Sequence, residues 1–209
     1  MMVWNNVSYI VIDDFYDNPD SVREFALSQE FRDTSGYPGM RTGVSGGLHN
    51  PILKKYFESI FNTSIDNNHW NDQGFGGFQL NGVEDTPWVH DDSENGVIFS
   101  ALIYLNKDFP DYECGTNFYF HRRSGKKSCI GIDYNLDLYD DINNTQNCLD
   151  NYKTAWVKYD KVEYRYNRMV IFNSKLFHRV ANYFGSNNIH DMRLMQIFFL
   201  NIENVETKK

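Results

Sequence analysis

Four residues in this sequence have the types and the order for iron chemistry. His90 and Asp92 lie in the segment Trp88-Val89-His90-Asp91-Asp92. His178 closes the run Met169-Val170-Ile171-Phe172-Asn173-Ser174-Lys175-Leu176-Phe177-His178, and Arg193 opens Arg193-Leu194-Met195-Gln196-Ile197-Phe198-Phe199-Leu200. Two imidazoles and one carboxylate on one face of Fe(II) leave three coordination positions open, enough for a chelating co-substrate and O2. An arginine beyond that face could hold the remote carboxylate of such a co-substrate as a forked ion pair.

His-x-Asp is a weak pattern on its own; its weight here comes from order and context. Strand periodicity puts residues i and i+2 on one face, so His90 and Asp92 can reach one metal while Asp91, the rival carboxylate, points away. The same parity groups Leu176 with His178 and Val180, and Arg193 with Met195, Ile197 and Phe199. Lys175 and Arg179 oppose His178 in parity and are weaker candidates. The plain alternatives are a salt-linked His90–Asp92 pair after a proline turn, a satisfied core histidine at 178 and an edge-strand charge at 193. A polar residue on an inward, otherwise apolar face needs a partner. A metal would satisfy His178, and a bound dicarboxylate would satisfy Arg193.

The elements that must position these residues are mostly strands. Val7–Phe15 reads as a first strand. Asn18-Pro19 and Asn50-Pro51 each announce a helix, with Asn as cap and Pro in the first turn. Val22, Phe25 and Ala26 give the first helix an apolar face. Ile52, Leu53, Tyr56, Phe57, Ile60 and Phe61 fall at helical spacing and predict an amphipathic second helix. Residues 35–48 are turn-rich in glycine and proline. From residue 74 the periodicity turns to strands: 75–80, one ending at 89–92, 97–105, 117–121, 156–159, 168–173, 177–182 and 193–201. Two helices followed by short strands predict a mainly β fold with N-terminal helices, an antiparallel double-stranded β-helix (jelly roll). Residues 1–73 then form a helical support and 74–201 the jelly-roll core of a single domain over 1–209. The polar stretch 122–153 is expected to be an insertion that acts as a lid.

Composition narrows the partners. The chain has 209 residues, 16 Phe, 14 Tyr, 4 Trp and a net charge of −8. That charge disfavours nucleic-acid phosphates and anionic membrane as partners. The basic runs 122–127 and 158–168 read as solvated loop tips or faces. Three cysteines, Cys114, Cys129 and Cys148, have no metal-ligand spacing, and no secretory pattern or membrane span is seen in the sequence. These features point to reduced thiols in a cytoplasmic compartment. His49, His69, His121 and His190 are expected at the surface or behind the site. Arg41 either meets an acidic part of a substrate or braces its turn.

The chain resembles the 2-oxoglutarate- and Fe(II)-dependent dioxygenases, within them the prolyl-4-hydroxylase-like branch, over roughly residues 74–201. The resemblance is carried by His90-Asp91-Asp92, by Tyr104-Leu105-Asn106, by Cys114-Gly115-Thr116-Asn117-Phe118 (similar to the branch's Gly-Gly-x-Thr-x-Phe turn) and by the Phe172…His178…Arg193 segment. The segments Asp13-Asp14-Phe15-Tyr16-Asp17-Asn18-Pro19 and Tyr37-Pro38-Gly39-Met40-Arg41 are similar to an uncharacterised group of such proteins. The resemblance implies Fe(II) on His90, Asp92 and His178, 2-oxoglutarate as co-substrate with its far carboxylate on Arg193, and a hydrogen bond to it from Tyr104. It also implies O2 consumption with release of succinate and CO2. The carboxylate of Asp92 favours hydroxylation over halogenation. The implied substrate is a peptide side chain or an amino-acid-like small molecule; the sequence leaves its identity and the oligomeric state open. Oxidative nucleobase modification, a cupin-like metal enzyme without 2-oxoglutarate, and a non-catalytic jelly-roll binding module are the alternatives.

Overall fold

Alternation along the strands decides what each side chain meets. The computed structural model describes residues 8–34, 37–43, 47–48, 51–65, 70, 76–110, 112–131, 155–186 and 188–202. The elements run β1 (Tyr9–Ile12), α1 (Pro19–Leu27), β2 (Phe31–Asp33), β3 (Met40–Thr42), α2 (Pro51–Phe61), β4 (Gly77–Asn81), β5 (Phe99–Tyr104), β6 (Thr116–His121), β7 (Trp156–Val162), β8 (Met169–Asn173), β9 (His178–Val180) and β10 (Arg193–Leu200). One sheet has the order β1-β8-β5-β10-β4-β3-β2, the other β7-β6-β9. The pairs are antiparallel. This is a mainly β jelly roll with N-terminal helices, as the periodicity predicts.

The large sheet has a dry face on each side. Phe99, Ala101 and Ile103 of β5, Met169 and Ile171 of β8, and Leu194, Phe198 and Leu200 of β10 pack with Val22, Ala26, Leu53, Phe57 and Phe61 of the helices. The intervening residues Leu102, Tyr104, Val170, Phe172, Met195 and Ile197 pack with Phe118 and Val162 of the small sheet. Strand β5 is buried along its whole length because both faces are covered. The helix starts behave as their sequence suggests: the Asn18 side chain accepts from Ser21 N at 3.2 Å, and Pro19 and Pro51 stand at the first positions.

Three findings differ from the sequence reading. The turn-rich segment 35–48 contains β3, which pairs with both β2 and β4. Pairing partners outweigh local turn composition there. Val89–Asp92 is not a strand; His90 makes an isolated bridge to His178 instead. His121 is fully buried against Trp156 rather than exposed, with its Nδ1 3.0 Å from Ser124 Oγ. Of the segment expected to form a lid, residues 132–153 lie outside the described residues, as do His49, His69 and Cys148. Cys114 is a buried free thiol. Among the described residues no helix is long and apolar enough to cross a membrane.

Candidate metal centre

Two reciprocal backbone hydrogen bonds build the centre. His90 N donates to His178 O at 3.0 Å, and His178 N donates to His90 O at 2.9 Å. Residues paired in this way across an antiparallel bridge project side chains to the same side. The two imidazole centroids are 4.4 Å apart. Asp92 N donates to Ser174 O at 2.7 Å, which turns the Asp92 carboxylate toward both rings. Its Oδ1 lies 3.6 Å from His90 Nε2 and its Oδ2 lies 3.3 Å from His178 Nε2.

The tautomers suit a metal. His90 Nδ1 meets Trp88 O at 3.1 Å and His178 Nδ1 meets Leu176 O at 2.9 Å. A carbonyl only accepts, so each Nδ1 carries a proton, and each ring in its neutral form turns its Nε2 lone pair to the common space. Cis ligands about 2.1 Å from an octahedral ion stand about 3 Å apart, close to the observed separations. The three ligand atoms all lie within 4.8 Å of one another. Burial raises the Asp92 carboxyl, but His178, His90 and a 2.7 Å hydrogen bond from Ser100 Oγ outweigh it and hold it well below the usual carboxylate range. Burial opposes the His178 imidazolium, yet Asp92 raises its pKa above the ordinary value. A metal entering here competes with that proton.

Asp91 is occupied elsewhere. Its Oδ1 accepts from Ser93 N at 3.1 Å and from Ser93 Oγ at 2.5 Å, an Asx turn that aims the carboxylate away. The side chain of His90 is 41 % exposed against 6 % for His178, so His90 stands on the open side of the site.

A cavity runs from the three residues to Arg193. His90, Asp92, His178 and Arg193 line it, with apolar walls from Leu102, Val180, Ile197 and Phe199. Arg193 is 1 % exposed. Its Nε donates to Cys114 O at 3.3 Å, and Nη1 lies 3.0 Å from Met195 Sδ. The guanidinium sits 5.4 Å from the Tyr104 ring centroid and 5.6 Å from that of Tyr164. Among the described residues no carboxylate pairs with it. Asn106 fixes the backbone on both sides of Arg193: its Nδ2 donates to Met192 O at 2.8 Å and its Oδ1 accepts from Leu194 N at 2.7 Å. Gly115 lets the Cys114 turn approach, since a Cβ there would stand 2.0 Å from Val162 O.

Tyr104 is fully buried and does not line the cavity itself. Its hydroxyl bonds Thr116 Oγ1 at 2.7 Å, and Thr116 forms the wall. Sequence reasoning missed Ser100, Thr116, Gln79 and Tyr183. Ser100 had a signal, a single hydroxyl on the inward parity of an otherwise apolar strand ending in Tyr104. The basic runs are surface features: residues 122–127 are exposed, Lys158 pairs with Glu113, and Arg165 and Arg168 pair with Asp13.

Comparison with known proteins places the fold. HygX from Streptomyces hygroscopicus, solved with nickel and 2-oxoglutarate bound, superposes with a TM-score of 0.59 at 10 % identity, covering 93 % of this chain and 83 % of that one. A prolyl hydroxylase from Trichoplax adhaerens, in complex with a hypoxia inducible factor peptide fragment, gives 0.52 at 14 % identity over 95 % and 86 %. A Pseudomonas putida prolyl-4-hydroxylase gives 0.51 at 14 % identity over 94 % of each chain. No curated protein matches the sequence. The sequence model of a family of unknown function, DUF6445, matches residues 3–181.

Proposed function

The chain belongs to the DUF6445 family of unknown function, and we propose that it is an Fe(II)- and 2-oxoglutarate-dependent oxygenase that hydroxylates a peptide side chain or an amino-acid-like small molecule. The observation that carries this reading is one cavity with two complementary ends. At one end His90, Asp92 and His178 converge with both Nε2 lone pairs inward; at the other, buried Arg193 has no carboxylate of its own among the described residues.

In this reading His90, Asp92 and His178 hold the metal and leave three positions free. Arg193 holds the far carboxylate of 2-oxoglutarate, which supplies the missing counter-charge of a buried cation. Tyr104 acts through Thr116, keeping that hydroxyl oriented at the wall, and Asn106 keeps Arg193 in place. Bound there, Fe(II) and 2-oxoglutarate would supply the O2-dependent chemistry that releases succinate and CO2 and puts a hydroxyl on a substrate C–H. Leu102, Val180, Ile197 and Phe199 exclude water from the path between the two ends.

The test is succinate release from Fe(II), 2-oxoglutarate and O2, screened against amino acids and peptides. Expected is a slow substrate-free rate that selected substrates stimulate and that Asp92→Ala abolishes. Absence of 2-oxoglutarate binding and of succinate release in the iron-loaded wild type would overturn the reading.

A further inference from the structure

A second guanidinium lines the same cavity. Arg41 of β3 aligns with Gln79 of β4, Gln79 aligns with Met195 of β10, and Met195 aligns with Tyr104 of β5. Paired residues share a face, so Arg41, Gln79 and Met195 form one row on the inner side of the large sheet. Arg193 stands one inward position from Met195 on β10. The two arginines therefore reach the cavity from strands separated by β4 alone.

Arg41 is held but not neutralised. Its Nε donates to Gln79 Oε1 at 2.9 Å, and its Cζ lies 4.6 Å over the Tyr37 ring. Gln79 is itself fixed, donating through Nε2 to Pro38 O at 3.1 Å and to Asn81 Oδ1 at 3.0 Å. The turn that delivers Arg41 needs glycine: Gly39 has φ +78°, and a Cβ there would stand 2.2 Å from Leu80 O. With Nε used, the two Nη groups have no protein acceptor among the described residues. Burial depresses its pKa, and the Asp92 charge opposes that only in part.

The positions of the two arginines differ. Arg193 lies at the closed end, 1 % exposed. Arg41 stands over the Tyr37 ring, and Tyr37 and Trp88, 51 % and 38 % exposed, line the cavity on the open side, where Trp88 meets His90. Tyr183 faces both arginines, and burial pushes its hydroxyl up to about 12, so it adds no negative charge. A dicarboxylate co-substrate bound to the metal has one far carboxylate, and one guanidinium fork suffices for it. The second fork, at the open side, remains for another anion.

We propose that Arg41 binds a carboxylate of the primary substrate, so that this protein acts on a carboxylate-bearing molecule that enters between Tyr37 and Trp88. The inference rests on the oxygenase reading above. The carboxylate can belong to a free small acid or to an acidic residue or C-terminus of a peptide.

The experiment uses protein loaded with Mn(II) and 2-oxoglutarate, in which binding is followed by tryptophan fluorescence and calorimetry without turnover. The probes are the amino acids, short hydroxy acids and short acidic peptides, each paired with its primary amide. Expected in the wild type are members whose acid binds at least about ten-fold more tightly than the amide, the scale of a hydrogen bond to a charged group. Arg41→Gln should erase that preference while holding 2-oxoglutarate affinity within about two-fold, as for an independent site. If Arg41→Gln does not fold, Arg41→Lys takes its place, keeping charge without the fork and shrinking the preference. Free acids and peptides separate the two sources. The proposal is overturned if no carboxylate binds the loaded wild type, if amides bind equally well, if the preference survives both substitutions, or if Arg41→Gln loses 2-oxoglutarate as Arg193→Gln is expected to. Failure of the wild type to bind Mn(II) and 2-oxoglutarate at all is a different result: it removes the oxygenase reading first.

Discussion

The two faces of strand β10 treat polar side chains in opposite ways. Toward the helices, Leu194, Phe198 and Leu200 enclose one polar residue, Gln196, and the chain completes it. Tyr16 Oη donates to its Oε1 at 2.5 Å, and its Nε2 reaches Leu48 O at 3.0 Å and Gly76 O at 2.9 Å. Toward the cavity, Arg193 is as deeply buried, yet it finds one carbonyl and one thioether. A buried ion without its partner is far more expensive than a buried amide with all of its bonds. The helix-side face is closed by the protein itself; in the proposed reading a ligand closes the cavity face.

The sharpest way to break that contrast is to remove a metal residue. His178→Ala should abolish stoichiometric metal binding, read by metal analysis after dialysis, while leaving cooperative unfolding intact. Full metal content in that variant would dismiss the assignment. On the other face, Phe57→Ala should lower stability by about 3–5 kcal/mol through loss of a buried aromatic. Urea melts measure this, and Mn(II) and 2-oxoglutarate affinities should hold in the folded variant. A large loss of affinity would mean that the two faces are not independent.

Arg193→Ala should weaken 2-oxoglutarate binding by about 2–5 kcal/mol with metal affinity retained. Arg193→Met sharpens the point, because it removes an uncompensated buried charge: the ligand-free protein should be no less stable than wild type while 2-oxoglutarate binding is lost. A strongly destabilised methionine variant would show that Arg193 serves the fold. The smallest effect on ligand binding is expected at Asn106, which acts only through the backbone beside Arg193. Asn106→Leu strands Leu194 N and the Met192 carbonyl, which costs about 1–3 kcal/mol for each unsatisfied group. It should loosen the co-substrate end without changing metal content, a pattern that separate titrations of metal and 2-oxoglutarate will detect.

What was legible in the sequence follows the same division. Residue type and order were enough to single out His90, Asp92, His178 and Arg193, which line one cavity although residues 89–92 form no strand, and Asn-Pro pairs were enough to start both helices. Asp91 is separated from Asp92 by its Asx turn with Ser93, not by the strand parity that the sequence suggested. Gln79 was not legible because its role arises from a strand pairing between distant segments, whereas Ser100 carried only the signal of a polar residue on an inward face. β3 was hidden by its own glycines, whose turn chemistry serves a three-residue strand. The strand expected to end at residues 89–92 does not form for a related cause: His90 pairs with His178 alone, in an isolated bridge. Of the two places expected for His121, the surface and behind the site, the first is ruled out by its burial beside Trp156 with Ser124 as a partner.

In the proposed reading one cavity holds a metal at one end and 2-oxoglutarate across to Arg193. An anaerobic titration of the Fe(II)-loaded protein with 2-oxoglutarate reads both ends at once, through the visible charge-transfer band of a keto acid chelated to iron. The band should grow to a one-to-one endpoint, be absent in His178→Ala, and require much higher 2-oxoglutarate in Arg193→Ala. No band in the wild type, or an Arg193→Ala titration that overlays it, would contradict the claim.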